Sequence, residues 1–171
     1  MTMQPCLDSG CGTAWFEQGS SLPATSTPDT EAALRRALRL SPEDPQAWHR
    51  VGACLDRSGK TRESLEYFEQ ALVLDPAHTA SLLSMGCAYL HLRQPYDALP
   101  LLLRVSLARP DGFESSYNLA CAYALLGETQ SGLDHLRRAI RQAPFDIRPH
   151  VRGDADLAPL REHPGYGIAV R

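Results

Sequence analysis

Hydrophobic and small residues return at a constant interval of 34 positions through the middle of the chain. Between these marks, apolar residues follow one another three or four positions apart, which is the spacing of an amphipathic helix. A constant period of this length indicates stacked helix pairs, each of which buries its apolar face against the next pair. The aligned columns are Gly52, Gly86 and Ala120; Leu55, Tyr89 and Tyr123; and Pro76, Pro110 and Pro144.

Turn and capping residues divide each period into two helices. Asp44 and Pro45 are typical of a helix start and Gly59 of a helix end, and Pro76 closes the second helix. The predicted organisation is three full units preceded by a lone second helix. In residue numbers it comprises an irregular N-terminal segment at 1–28, the lone helix at 29–44, full units at 45–78, 79–112 and 113–146, and a C-terminal extension at 147–171.

The N-terminal segment has two interpretations. It is rich in Ser, Thr, Gly and Pro, which favours an irregular lead-in. However, Trp15, Gly19 and Leu22 repeat the spacing of the aromatic, glycine and leucine that begin the first full unit. A short, degenerate first helix over about 13–22 is therefore the alternative.

The C-terminal extension carries the signals of one closing helix from Asp154 to His163. Asp154 is a suitable cap, Leu157 and Leu160 form an apolar face, and Pro159 is expected to limit or kink the helix. An open end of stacked helices would expose apolar surface to water. We therefore expect this segment to form a lid on the last unit.

Within each unit, large and small apolar residues keep one order. The matching residues are Trp48, Val51, Gly52, Leu55, Phe68, Ala71 and Pro76 in the first unit, Leu82, Met85, Gly86, Tyr89, Val105 and Pro110 in the second, and Leu119, Ala120, Tyr123, Ala139 and Pro144 in the third. This order resembles the tetratricopeptide repeat. The resemblance implies an all-α fold, a right-handed solenoid of antiparallel helix pairs. Departures such as Ser116 in the column of Trp48 concern local packing only.

Composition narrows the classes of function. The 171 residues carry a net charge of −3 and are 43% hydrophobic, so neither nucleic acid nor an anionic membrane is expected as the main ligand. No apolar run is long enough to span a bilayer, and the N-terminus lacks the features of a secretory signal, which favours a cytoplasmic protein. Since no phosphate loop or metal quartet occurs, we expect no enzymatic activity, no metal and no cofactor.

The resemblance also implies where a partner binds. In this family the first helix of each pair lines a concave groove, and that groove is the usual binding surface. The positions implied to form the groove are His49, Arg50, Ala53, Arg57, Leu83, Ser84, Cys87, Leu90, His91, Tyr117, Asn118 and Cys121.

The lining of this groove favours a protein or peptide partner. Its middle and far end are mostly apolar, which suits an amphipathic helix or an extended apolar peptide with Tyr117 as an anchor. Family members that hold the acidic C-termini of heat-shock chaperones need basic residues in the groove. Because Glu114 places a negative charge where a carboxylate would bind, that use is not expected. The predicted role is that of an adaptor or assembly factor.

Two alternatives stay open. The N-terminal segment could fill the groove itself, with Trp15 or Phe16 lying in it. A thiol function could use Cys87 and Cys121, which occupy equivalent positions of neighbouring units, with His91 one helical turn from Cys87. Against the second alternative, buried structural cysteines are unreactive.

Overall fold

The computed structural model describes residues 28–171, and every regular element within this range is helical. The elements are α1 (Pro28–Leu40), α2 (Pro45–Arg57), α3 (Thr61–Leu74), α4 (Thr79–His91), α5 (Pro95–Ala108), α6 (Phe113–Leu125), α7 (Thr129–Gln142), α8 (Arg148–Gly153), a 3-10 helix (Ala155–Leu157), α9 (Ala158–Arg161) and α10 (Pro164–Ala169). Helix α2 packs on α3, α4 on α5 and α6 on α7, and each pair contacts the next. The all-α prediction is confirmed.

Each pair turns through one residue with a left-handed backbone. This residue is Gly59 after α2 (φ +78°) and Gly127 after α6 (φ +76°), but it is Arg93 after α4 (φ +59°). In all three turns the following amide donates to a carbonyl oxygen five residues earlier, at 2.8 to 2.9 Å. The left-handed conformation costs a non-glycine residue roughly 1–2 kcal/mol. Arg93 therefore occupies a position that glycine suits better.

Small residues set how closely the two helices of a pair approach. A Cβ atom built on Gly52 would lie 2.6 Å from Cε1 of Phe68, and one built on Gly86 would lie 2.8 Å from Cδ2 of Leu102. Phe68 and Leu102 are both fully buried, so neither has space into which it could move. Gly52 and Gly86 therefore permit the close contact between the helices of their pairs.

The lone helix α1 docks on the first pair through one arginine and an apolar contact. Arg35 donates to Oη of Tyr67 at 2.5 Å and to Oε1 of Glu63 at 2.7 Å, both on α3. Leu38 is buried in a small cluster with Val51 of α2. Helix α1 thus takes the place that the second helix of a preceding repeat would occupy.

The C-terminal extension differs from its prediction. A single closing helix from Asp154 to His163 is wrong, because this stretch and its surroundings form several short helices. Pro149, Pro159 and Pro164 each lie in the first turn of a separate helix, where the missing amide hydrogen removes no helical hydrogen bond. Each proline therefore starts a new short helix.

Predictions for the N-terminal segment, including the short helix over 13–22 and the positions of Trp15 and Phe16, lie outside the described residues. Among residues 28–171, none of the helices combines the length and the apolar character that crossing a membrane requires.

Candidate functional site

The candidate site is the inner wall, by which we mean the face of α2, α4 and α6 that carries the implied groove positions. Arg50 is exposed, and Arg57 and His91 are half-buried. The remaining positions are buried, namely His49, Ala53, Leu83, Ser84, Cys87, Leu90, Tyr117, Asn118 and Cys121. A groove open along its whole length is therefore not what the structure shows.

His49 joins the first two helix pairs. Its Nε2 lies 3.1 Å from Oγ of Ser84, and its ring packs 5.8 Å from the ring of Phe68. Its other ring nitrogen, Nδ1, is buried and has no hydrogen-bond partner in the part of the chain that the structure describes. A buried polar atom without a partner normally destabilises a fold, so this histidine is an unusual residue to find at such a position.

The environment of His49 keeps its imidazole neutral. Burial, followed by the nearness of His78, Arg50 and Arg57, lowers the pKa of His49 to about 4. Arg50 and Arg57 place two positive charges at the first-pair end of the inner wall. This end would attract an anionic group on a partner.

Two further polar contacts hold the first and second pairs together. His78 caps α4 by accepting the amide hydrogen of Ser81 on Nδ1, which leaves its Nε2 to donate to Oε1 of Gln46 at 3.2 Å. His91 lies 3.7 Å from a carboxylate oxygen of Asp56. The inner wall between these pairs is therefore lined by polar side chains that contact one another.

At the third pair, the chain's own C-terminal segment covers the inner wall. The hydroxyl of Tyr117 donates to Oδ2 of Asp154, and the thiol of Cys121 lies 3.8 Å from the same oxygen. The second carboxylate oxygen of Asp154 accepts from the amide of Asp156 at 2.8 Å. The ring of Tyr117 also packs 5.5 Å from the ring of His150. Tyr117, implied to anchor a partner, is 1% exposed and bonded within the chain.

A second carboxylate of the same segment reaches the middle pair. Nη1 of Arg93 donates to Oδ1 of Asp156 at 2.7 Å. Burial raises the pKa of Asp156, as does the nearby charge of Asp154, while Arg93 and His91 oppose this shift. The segment therefore crosses from α6 back towards the end of α4, with a carboxylate bonded at each place.

Two leucines of the segment supply its apolar anchoring. Leu157 and Leu160 are fully buried. The methyl groups of Leu160 lie against Gly132 of α7, where an added Cβ would approach them to 3.1 Å. The segment thus packs on both helices of the last pair, which is where we expected a lid.

Arg93, Asp154 and Asp156 take part in the contacts at the inner wall, although none of them was among the predicted groove positions. One signal for Arg93 was present in the sequence: it interrupts the column of turn glycines at Gly59 and Gly127. The two aspartates carried no such signal, because the path of an irregular segment does not follow from periodicity.

The three cysteines at 28–171 do not provide an accessible nucleophile. Cys87 and Cys121 are fully buried, and neither they nor Cys54 form a disulfide within residues 28–171. A thiol enclosed in this way is shielded from oxidants and electrophiles. No set of three or more His, Cys, Asp or Glu side chains among the described residues is arranged to hold a metal ion.

Comparison with known families decides the assignment of the repeats. Models of the family described as "Tetratricopeptide repeat" match residues 45–78 and 83–147, which together make up more than half of the chain. The chain belongs to the tetratricopeptide repeat family. The solenoid of antiparallel helix pairs that the sequence implied is confirmed by this match and by solved structures.

Several known proteins are similar to this chain in sequence or in structure. Protein FlbA of Caulobacter vibrioides is 29% identical over 127 residues, covering 72% of this chain and 21% of FlbA. MamA of Desulfovibrio magneticus RS-1 aligns with a TM-score of 0.67 at 22% identity over 82% of each chain. YrrB, described as a TPR protein with an unusual peptide-binding site, aligns with a TM-score of 0.62 at 19% identity over 83% of this chain and 75% of YrrB.

This chain spans about a fifth to a quarter of the length of the curated relatives that it matches. The likeness to MamA and YrrB, at these identities, establishes the fold.

Proposed function

We propose that this protein is a non-enzymatic interaction module, an adaptor or assembly factor that holds a peptide or helix of a partner protein on its inner wall. The tetratricopeptide repeat family supports a role in protein–protein interaction. YrrB, a structural neighbour, is described as having a peptide-binding site.

One observation carries the proposal: the inner wall already binds a peptide segment. Tyr117 and Cys121, at implied groove positions, contact the irregular stretch around Asp154. A surface whose donors bind a short segment of its own chain offers the same donors to a segment of another protein.

The first-pair end of the wall supplies the charge for a partner. Arg50 is exposed there, and the half-buried Arg57 lies nearby. These positive groups favour a partner segment that carries acidic side chains.

The proposal is tested by placing a photo-crosslinking residue at position 50 and, as a control, at Tyr96. Tyr96 is 79% exposed and lies on α5, the second helix of its pair. We expect one protein to be captured from position 50 and not from position 96. That protein, purified, should bind the wild-type chain saturably.

Charge reversal then locates the binding surface. Arg50→Glu should weaken binding of the purified partner at least tenfold, whereas Arg62→Glu, the same charge change at an exposed residue of α3, should leave it unchanged. Fluorescence anisotropy measures both. Equal binding by the two variants would show that the inner wall is not the site.

A further inference from the structure

We propose that residues 154–157, Asp-Ala-Asp-Leu, are an internal ligand of the inner wall, and that the partner of this wall carries the same chemistry. That chemistry is a pair of carboxylates two residues apart, followed by leucine. The inference rests on the proposed function and adds to it the class of peptide that binds and its competition with the chain's own segment.

The groups that the wall presents to this segment are hydrogen-bond donors. They are the hydroxyl of Tyr117, the thiol of Cys121 and the guanidinium of Arg93. A carboxylate accepts from such groups and cannot donate to them when ionised. If the segment left without a replacement, the hydroxyl of Tyr117 would lose its carboxylate acceptor. A competing peptide therefore needs acceptors at the same two places.

Arg93 supports this interpretation independently. It holds a left-handed backbone where the equivalent turns use Gly59 and Gly127. Its side chain is 60% exposed, and its guanidinium pairs with Asp156, which is 11% exposed. An arginine that is unfavourable for its own turn, and whose charged group contacts the segment, indicates that the contact itself has a purpose.

The C-terminal extension, residues 147–171, which contains this segment, depends on the wall for its own structure. None of α8, the 3-10 helix, α9 and α10 is longer than six residues. Isolated helices shorter than about 12–15 residues are marginal in water. Short helices of this kind have low intrinsic stability, and regions that depend on tertiary contacts in this way can open before the rest of a fold.

Tethering explains why a competitor would bind the wild-type chain weakly. A segment joined to its site by a short connection has an effective concentration on the order of millimolar. A peptide supplied in solution must exceed that value, or the internal segment must first be weakened. This gives a direct test with a defined probe.

The probe is a fluorescein-labelled peptide corresponding to residues 150–161. It is titrated against three full-length chains: wild type, Asp156→Asn, and Glu162→Gln as the matched control. Glu162 is exposed and lies in the same segment, so its change alters the charge of the segment without touching the contact with Arg93. Circular dichroism and urea unfolding verify that each chain is folded.

We expect the peptide to bind Asp156→Asn at least tenfold more tightly than wild type, and Glu162→Gln like wild type. A peptide with both aspartates changed to asparagine should bind Asp156→Asn at least tenfold more weakly than the unchanged peptide. Equal affinity of the three chains, no measurable binding to Asp156→Asn, or equal affinity of the two peptides would each overturn the proposal.

A second measurement uses the wild-type chain alone. Addition of the unlabelled peptide at several millimolar should raise hydrogen exchange of the amides at 155–169 at least fivefold, because the displaced segment becomes solvated. Exchange in α2 and α3 should stay constant. Unchanged exchange at 155–169 would contradict displacement.

The two proposals can fail separately. The peptide assay involves neither Arg50 nor Arg57. If the peptide displaces the segment but no partner is captured at position 50, the proposed function is wrong. If a partner is captured at position 50 but the peptide does not displace the segment, the segment is not an internal ligand.

Discussion

His49 in the first helix pair and Tyr117 in the third occupy equivalent positions of the 34-residue period, yet their polar atoms meet different partners. His49 bonds to Ser84, which belongs to the next repeat. Tyr117 has no next repeat to meet, and its hydroxyl donates to Asp154 of the C-terminal segment instead. The same position of the repeat thus bonds to a serine hydroxyl inside the stack and to a buried carboxylate at the end of the stack.

The middle of the stack and its end are therefore completed in different ways. A repeat in the middle is completed by its neighbour, so its inner wall is bonded by side chains at fixed spacing. The last repeat is completed by an irregular segment, which follows the donors and apolar pockets that it finds. A competing peptide can imitate the second arrangement, in which a segment of the chain rather than a further repeat covers the wall.

The largest predicted effect concerns the apolar contact of the segment. Leu160→Ala should lower the free energy of unfolding by about 3 kcal/mol, because it removes a buried side chain packed against Gly132. Urea denaturation measures the change. The control is Ile168→Ala in the same segment, where the side chain is 68% exposed and a change within about 0.5 kcal/mol is expected. Equal effects would mean that the segment is not packed on the last pair.

The contact at His49 predicts a dependence on pH. Its folded pKa of about 4 lies below the ordinary value of 6.5, so the unfolded chain binds the proton more readily. The stabilisation that neutral His49 contributes to the fold is fully present above pH 6.5 and is lost as the pH falls through about 4. The loss between pH 7 and pH 4 should be roughly 3 kcal/mol.

Comparison with His49→Gln isolates this contribution, since glutamine can still bond to Ser84. The free energy of unfolding of the variant, measured by urea denaturation at several pH values, should fall less steeply towards pH 4 than that of wild type. Parallel pH profiles would show that His49 is not buried in a neutral form.

The contact at Tyr117 should have a smaller effect. Tyr117→Phe removes the hydroxyl that donates to Asp154 and leaves a buried carboxylate short of one donor, which should cost about 2 kcal/mol. Tyr96→Phe, which removes an exposed hydroxyl, should change the unfolding free energy by less than about 0.5 kcal/mol. If both variants unfold at the same urea concentration, the bond between Tyr117 and Asp154 does not contribute in solution.

The smallest predicted effect compares two turns. Arg93→Gly relieves a left-handed arginine and removes a partly exposed ion pair, and the two changes should cancel to within about 1 kcal/mol. Gly59→Ala, where an added Cβ meets no neighbour within 4 Å, should destabilise by about 1 kcal/mol through backbone strain alone. Thermal unfolding of the two variants checks this, and a larger loss for Arg93→Gly than for Gly59→Ala would contradict it.

The sequence made the helix pairs predictable because their packing repeats with a fixed period. Gly52 and its equivalents mark close helix contact, and Pro45 and Gly59 mark a helix start and a turn. The implied groove positions identified Tyr117 but not what covers it. The path of residues 147–171 was not predictable, since short helices begun by successive prolines are positioned by tertiary contacts rather than by a repeating pattern.

The C-terminal segment lies on the inner wall, and its carboxylates bond to Tyr117 and Arg93 there. An exchange of the charges of Arg93 and Asp156 shows whether these bonds hold the segment in place. Arg93→Asp and Asp156→Arg should each raise hydrogen exchange of the amides at 157–169 at least tenfold, and the double variant should return exchange to within about threefold of wild type, since a restored pair recovers the coupling energy. Exchange that is unaffected by either single change, or a double variant that exchanges as fast as the faster single one, would contradict the claim.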